Sequence, residues 1–198
     1  MFAALTDAFP VTAREARPGD LSGYPDPVRR VLGPMGGSTL ADGLYRFHTA
    51  DSAASANAAC AELVPGFAER YGVFAFDWLG REFAVNTEDG TVAAVDFGSD
   101  EFLESELSLD EWHDVVAAEA DDLLLLAQYL EWRAANPQTG PLAFDQVVCH
   151  RHPLFLGGAD EVDNLELSDK DVHRTLFTQI AVQVRDLPPG TPIHLDLG

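Results

Sequence analysis

Basic residues are scarce in this chain: Lys and Arg number 12 against 33 Asp and Glu, and the net charge is −21. The only lysine is Lys170. No Lys or Arg lies between Glu82 and Glu131, although that window contains fifteen acidic residues. A surface with this charge repels nucleic acid and anionic membranes and attracts cations. The composition therefore argues against nucleic-acid or membrane binding and favours a cationic partner.

The acidity is confined to one part of the chain. Residues 1–50 carry five acids and five bases, whereas residues 51–198 carry 28 acids and seven bases. An acidic surface that only improves solubility, or that reflects a salty habitat, is the alternative explanation. A uniform effect of that kind should also have acidified residues 1–50. We therefore interpret the charge as the property of one surface that binds a partner.

Cysteines and long apolar runs are also few. Cys60 and Cys149 are too few and too far apart for a secreted disulfide framework, so a reducing cytosol is expected. No run approaches the roughly 18 apolar residues of a membrane-spanning helix. The first 18 residues lack the basic and apolar regions of a signal peptide. We expect a cytoplasmic protein whose 198 residues can bury a full core.

Turn residues and alternation suggest how the chain is organised. Residues 1–39 are rich in Pro and Gly and are predicted to form an N-terminal extension, and residues 40–198 to form a single α+β domain. Strands are predicted at 44–48, 73–78, 82–86, 91–97, 146–156, 165–167 and 193–197. The close spacing of the early strands, with glycine turns between them, favours an antiparallel sheet. Phe74, Phe76 and Trp78 are two residues apart and are predicted to share a face.

Three helices are predicted to flank this sheet. The first covers residues 51–64. The second begins at a capping box formed by Ser108 and Glu111, runs to Asn136-Pro137, and allows a break near Ala118. Its apolar stripe is Leu109, Trp112, Val116, Ala120, Leu123, Ala127 and Leu130. The third helix starts from Ser168 and carries a stripe of Val172, Leu176, Ile180 and Val184.

Motifs for catalysis are absent. The sequence contains no nucleophile elbow, no phosphate-binding glycine loop and no cysteine in a recognisable catalytic context. His150 and His152 would share one face of a strand, as two zinc ligands do, with a third ligand from His113, His173 or a carboxylate. Two histidines hydrogen-bonded at a strand edge are the simpler interpretation. We expect no enzyme activity, cofactor or metal.

Two sequence blocks together resemble a known family. The first is YGVFAFDWLGREFA at residues 71–84, and the second is HPLFLGG at residues 152–158, followed by Asp163-Asn164-Leu165-Glu166 and Asp169. With residues 43–46 and 187–191, they resemble the bacterial immunity proteins of type VI secretion DNase effectors. In that family a C-terminal domain of formerly unknown function often follows a GAD-like N-terminal region. The resemblance spans residues 40–198, and the Cys149-His150-Arg151-His152 stretch departs from it.

The resemblance implies a fold and a class of function. It implies a cytosolic, non-enzymatic protein that binds and neutralises a cognate nuclease toxin. It transfers no binding residue, because toxin-facing surfaces differ with each toxin. Arg81 is expected to pair internally with Asp77 or a nearby acid, and Gly157-Gly158 to form a turn.

The acidic window supplies the candidate binding residues. We predict that a loop and the first helical turns after it contact a basic partner through Asp100, Glu101, Glu104, Glu106, Asp110, Glu111 and Asp114. An adaptor or regulatory module with an immunity-like fold is the alternative function. A metal-dependent enzyme built on His150 and His152 is a third hypothesis.

Overall fold

A seven-stranded antiparallel sheet forms the centre of the protein. A computed structural model describes residues 2–15, 19–188 and 191–192. The sheet strands follow one another in chain order: β1 (Val11–Arg14), β2 (Ser38–Leu40), β3 (Tyr45–Phe47), β4 (Tyr71–Asp77), β5 (Glu82–Asn86), β6 (Thr91–Asp96) and β7 (Glu101–Ser108). β8 (Gln146–His150) and β9 (Leu165–Asp169) form a separate antiparallel pair. The predicted antiparallel α+β architecture is confirmed.

Helices cover both faces of the sheet. Their bounds are α1 (Ala3–Ala8), α2 (Asp26–Met35), α3 (Ala50–Leu63), α4 (Phe67–Arg70), α5 (Leu109–Ala118), α6 (Ala120–Leu124), α7 (Leu126–Ala135) and α8 (Lys170–Val184). On one face, α2 and α5 bury Val28, Val31 and Trp112 against Phe74 and Phe83. The opposite face carries a second core. It includes Ala56 and Cys60 of α3, Phe177 and Ala181 of α8, and Val73 and Val95 of the sheet. The result is one domain of three layers.

The first 39 residues belong to this domain, so their prediction as an extension is corrected. β1 pairs with β2, and β2 pairs with β3 of the same sheet. Leu5, Val28 and Leu40 are completely buried in the first core. The expected boundary at residues 39 and 40 falls inside β2. Pro and Gly in this region mark turns between short elements, and they do not mark a linker.

Strand β4 is irregular, and the three aromatic residues do not share a face. A register shift between Val73 and Ala75 places an extra residue in β4 opposite β5. Phe74 lies in the first core, and Trp78, which follows the end of β4, is buried there too. Phe76 instead lies beneath the side-chain cations of Arg46 and Lys170. A bulge reverses the alternation that the sequence pattern assumes.

The acidic helix is three helices. Ser108 and Glu111 form the predicted capping box at the start of α5. α5 ends at Ala118 as the pattern allowed, and Leu125, with a φ of 53°, then separates α6 from α7. This second break changes which side faces inward, so that Tyr129 and Trp132 are buried and Leu130 is 56% exposed. The predicted stripe thus holds only as far as Leu123.

The C-terminal predictions are partly right. β8 ends at His150, because residues 151–158 form turns and a short 3₁₀ helix rather than a continuing strand. Gly157 has a φ of 88°, and a Cβ on Gly158 would lie 1.9 Å from the carbonyl oxygen of His152, so the predicted glycine turn is confirmed. α8 is capped by Asp169 rather than Ser168. The strand predicted at 193–197 lies outside the described residues.

The stripe of α8 is also shifted. His173, Phe177 and Ala181 are buried, whereas Val172 is 58% exposed and Val182 is 53% exposed. Ile180 of the predicted stripe is buried, whereas Leu176 and Val184 are only partly buried. The sequence pattern failed here because the buried face includes polar residues.

Candidate partner-binding surface

The predicted acidic loop is an edge strand. Glu101, Glu104 and Glu106 lie on β7, which pairs with β6 and is the last strand of the sheet. Asp100 stands just before it with a φ of 58°, a left-handed turn conformation. The sequence predicted a loop because Phe102 and Leu103 are adjacent and acids separate them from Leu107, so no apolar alternation marks the strand. An edge strand needs no apolar face, so alternation is a weak signal there.

Strand β7 presents different chemistry on its two faces. Phe102 packs against the rings of Phe67 and Tyr71, with centroids 6.2 and 5.3 Å away. Glu104, two residues on, accepts a hydrogen bond from the hydroxyl of Tyr71 on the same face. Leu103 therefore faces the opposite side, where 57% of it is exposed. Residues 101 and 103 share that side.

Several of the seven acids have partners within the protein. Asp100 accepts a hydrogen bond of 2.5 Å from Arg185. Glu104 also lies 3.8 Å from Arg70, and Asp110 lies 3.6 Å from Arg30. The pairs of Glu104 and Asp110 are more than half exposed, so each stabilises the fold by at most about 1 kcal/mol. Asp100, only 16% exposed, is the most covered of the three acids.

Glu111 serves the helix rather than a partner. Its carboxylate accepts hydrogen bonds from the backbone N–H of Ser108 at 2.9 Å and from the hydroxyl of Ser108 at 2.6 Å. These bonds hold the pKa of Glu111 below its usual value, so it is charged at neutral pH.

The remaining acids are available to a partner. Glu101, Glu106 and Asp114 are all exposed. Within the described part of the chain, Glu101 accepts only a hydrogen bond from Ser99, and no side chain pairs with Glu106 or Asp114. We call the surface formed by the seven predicted acids the acidic surface. Its uncommitted charges lie on β7 and α5.

An apolar cleft opens beside Leu103. It has a volume of about 220 Å³ and lies between β5, β6, β7 and the helices α5 and α6. Its walls include Phe83, Val92, Ala94, Leu103, Trp112 and Leu123, and Asp122 stands among the lining residues. Arg81 also lines the cleft, but its charge is met by Asp77, which accepts from Arg81 Nε at 2.6 Å. This confirms the expected internal pairing of Arg81.

A second group of charges is buried, and the sequence analysis missed it. Glu82 is completely buried and accepts from Arg174 at 2.9 Å and from His48 at 2.7 Å. Burial lowers the pKa of His48, so its neutral ring donates from Nε2. Burial opposes ionisation of Glu82, but His48 and Arg174 hold the pKa of Glu82 below its usual value. We call His48, Glu82 and Arg174 the buried triad.

Two further cations surround the buried triad. Arg46 is fully buried, and its guanidinium donates to the carbonyl oxygens of Asp77, Ala143 and Gln146. Lys170, 4% exposed, places its ammonium 4.4 Å from the centre of the Phe76 ring. The only lysine is therefore interior. These charges connect the sheet to α8 and to the β8–β9 pair, and both side chains are almost completely buried.

The candidate metal ligands do not converge. His152 is exposed in the turn after β8, whereas His150 is buried, with Nε2 3.4 Å from Asp160. His113 is buried in the first core, where its Nδ1 lies 2.7 Å from the carbonyl oxygen of Leu109. His173 is packed between Phe97 and Phe177. Among the described residues, no group of three or more His, Cys, Asp or Glu side chains is arranged to hold a metal ion.

Comparisons with known proteins show the fold. No family model and no curated protein matches the chain. The crystal structure of Atu4351 from Agrobacterium tumefaciens is similar, with a TM-score of 0.62 and 15% sequence identity over 90% of this chain and 89% of that one. None of the described helices is long and apolar enough to cross a membrane.

Proposed function

We propose that this protein is a cytoplasmic immunity protein that binds a basic nuclease toxin through the acidic surface and blocks its active site. The observation that carries the proposal is the exposure of uncommitted carboxylates along β7 and α5, with interior charges compensated separately. The resemblance of residues 71–84 and 152–158 to immunity proteins of DNase effectors supports the same function. A nuclease binds DNA phosphates in a cationic groove, which an array of carboxylates can occupy.

The two blocks that carry the resemblance are scaffold in this structure. The first block supplies β4, the Asp77–Arg81 pair and the start of β5. The second supplies the turn at Gly157 and Gly158. Neither contributes an acid to the acidic surface, although Arg81 and Phe83 of the first block line the cleft beside it. This division suits an immunity protein, because a shared scaffold can present a surface that differs for each toxin.

An adaptor function is the second candidate. Its specific support is a pair of valines on the exposed side of α8, Val172 and Val182, which are more than half exposed. A protein that binds several partners needs a surface of this kind in addition to the acidic one. No observation supports a metal-dependent enzyme, and we do not propose one.

Capture from the source cells tests the immunity proposal. The tagged protein is incubated with lysate at low salt, and bound proteins are eluted with rising salt. We expect one stoichiometric basic protein that degrades DNA and that loses this activity when one equivalent of the tagged protein is added back. Elution of several unrelated proteins without DNase activity would favour the adaptor. Elution of a DNase that stays active in the complex would contradict the proposed inhibition.

A further inference from the structure

The outer edge of β7 and the apolar cleft lie side by side. Within the described part of the chain, no strand pairs with the outer edge of β7. Residues 101–104 keep a regular register with β6, from Asp96 opposite Glu101 to Ala93 opposite Glu104. Alternate residues of such a strand direct their backbone N–H and C=O groups away from the sheet. This edge can therefore accept one more strand.

Only part of the outer edge of β7 carries features that prevent pairing with another strand. Between Glu104 and Ser108 the register shifts, and the hydroxyl of Ser105 donates to the carbonyl oxygen of Val92 at 2.6 Å. Bulges and charges of this kind protect edge strands from aggregation. The segment at 101–104 has no bulge and exposes Leu103. An exposed leucine does not help to prevent edge-to-edge aggregation.

The cleft lies on the side of β7 to which Leu103 points. Its walls are mostly apolar, and Trp112 forms part of them although it is only 4% exposed. In protein interfaces, a pocket that buries one large apolar side chain commonly supplies much of the affinity, while charges around it set the association rate. Glu101 shares this side of β7 and Glu104 occupies the other side, so an added strand would have carboxylates on both faces.

We infer that the partner docks as an extended basic segment, which adds to the sheet at residues 101–104 and inserts one large apolar side chain into the cleft beside Trp112. The inference rests on the proposed function, because it specifies how the basic partner is held. Backbone hydrogen bonds would supply register, and the cleft would supply selectivity for one side chain. The carboxylates would pair with lysine or arginine residues of the added strand.

A peptide that needs no toxin tests this inference. The probe is acetyl-Lys-Val-Lys-Phe-Lys-Val-Lys-amide, titrated into the isotopically labelled full chain and followed by NMR. We expect shifts of the indole N–H signal of Trp112 and of the amide signal of Leu103, with the indole signal of Trp132 unchanged. Replacement of the peptide Phe with Ala should weaken binding about tenfold or more. Equal binding of the two peptides, or shifts located elsewhere, would overturn the inference.

Strand addition also predicts that the peptide pairs through the backbone groups of one edge only. N-methylation of alternate peptide residues removes the backbone donors of one edge only. We expect one methylated series to lose binding and the other, methylated on the outward edge, to retain it. Retention by both series would show that the peptide does not pair with β7.

Matched variants of the protein complete the test. Leu103→Ser should weaken peptide binding, whereas Leu130→Ser should not, because Leu130 is equally exposed at 56% but lies on α7 away from the cleft. Equal effects would contradict the proposed location. Peptide binding without capture of a nuclease would refute the immunity function alone. The docking mode alone would be refuted if an inhibited nuclease were captured, the nuclease shifted other signals than the peptide does, and the peptide did not displace it.

Discussion

The protein treats charge in two opposite ways. In the buried triad, each charged group meets an opposite charge or a hydrogen-bonding partner, and Glu82 is held by both Arg174 and His48. On the acidic surface, Glu106 and Asp114 are exposed and have no partner among the described residues. The interior is nearly neutral, so the net charge of −21 lies on the outside. The difference indicates that interior charge organises the fold, while surface charge is available for binding.

Neutralisation of the buried triad should have the largest effect on stability. Glu82→Gln leaves the buried Arg174 with only Asp171, whose carboxylate is 68% exposed, as a counter-charge, which costs roughly 3 kcal/mol of unfolding free energy. Glu104→Gln, on the acidic surface, removes exposed pairings and should cost at most about 1 kcal/mol. Urea unfolding of both variants provides the measurement. Similar losses for the two would mean that the interior and surface charges do not differ in role.

Acid should destabilise the protein through its buried histidines. Burial lowers the pKa of His173 to about 4, whereas the unfolded chain protonates near 6.5. Between these values the unfolded state binds the extra proton, so stability falls as pH drops from about 6.5 to about 4, by roughly 3 kcal/mol for this residue.

Variants at two histidines isolate this effect. His173→Phe should reduce the pH dependence of unfolding between about pH 4 and 6.5 without abolishing it, because burial also lowers the pKa of His113 to about 4. His152→Gln, at an exposed position in the turn after β8, is the control and should leave the slope unchanged. An unaltered slope in His173→Phe would show that other groups cause the acid sensitivity.

Removal of the capping box should destabilise the protein less than the changes above, and it leaves the net charge unaltered. Ser108→Ala removes the cap of α5 and should cost about 1 kcal/mol. Ser168→Ala is the matched control, since Asp169 and not Ser168 caps α8. Thermal unfolding distinguishes the two. Equal losses would contradict the assignment of Glu111 and Ser108 to helix stability rather than to binding.

The sequence predicted regular, half-buried elements well. Strands β4, β5 and β6 were located within two residues at each end, because apolar residues alternate between glycine turns. The cap of α5 was found because Ser108 and Glu111 have the spacing that the geometry requires.

Elements that depend on tertiary context were missed. Strand β7 is exposed on both faces and shows no apolar alternation. Helix α7 turns Leu130 outward because Leu125 interrupts the helical phase, and nothing in its residue type marks a left-handed position. Arg46 and Glu82 are buried although their charge predicts exposure, and only the fold supplies their partners. The acidic residues of the candidate surface were predicted, but their position on a sheet edge beside an apolar cleft was not.

The rate at which the captured nuclease associates tests the role of the acidic surface most directly. Stopped-flow measurements over a range of salt concentrations would compare the wild type with the variant Glu101→Gln/Glu106→Gln/Asp114→Asn. The control variant, Asp7→Asn/Asp51→Asn/Glu62→Gln, removes the same charge from exposed positions elsewhere.

Electrostatic steering by the acidic surface predicts a drop of about tenfold in the association rate constant at low salt, and a flatter salt dependence, for the first variant only. Equal rate constants and equal salt slopes for the two variants would contradict the claim that this surface recognises the partner.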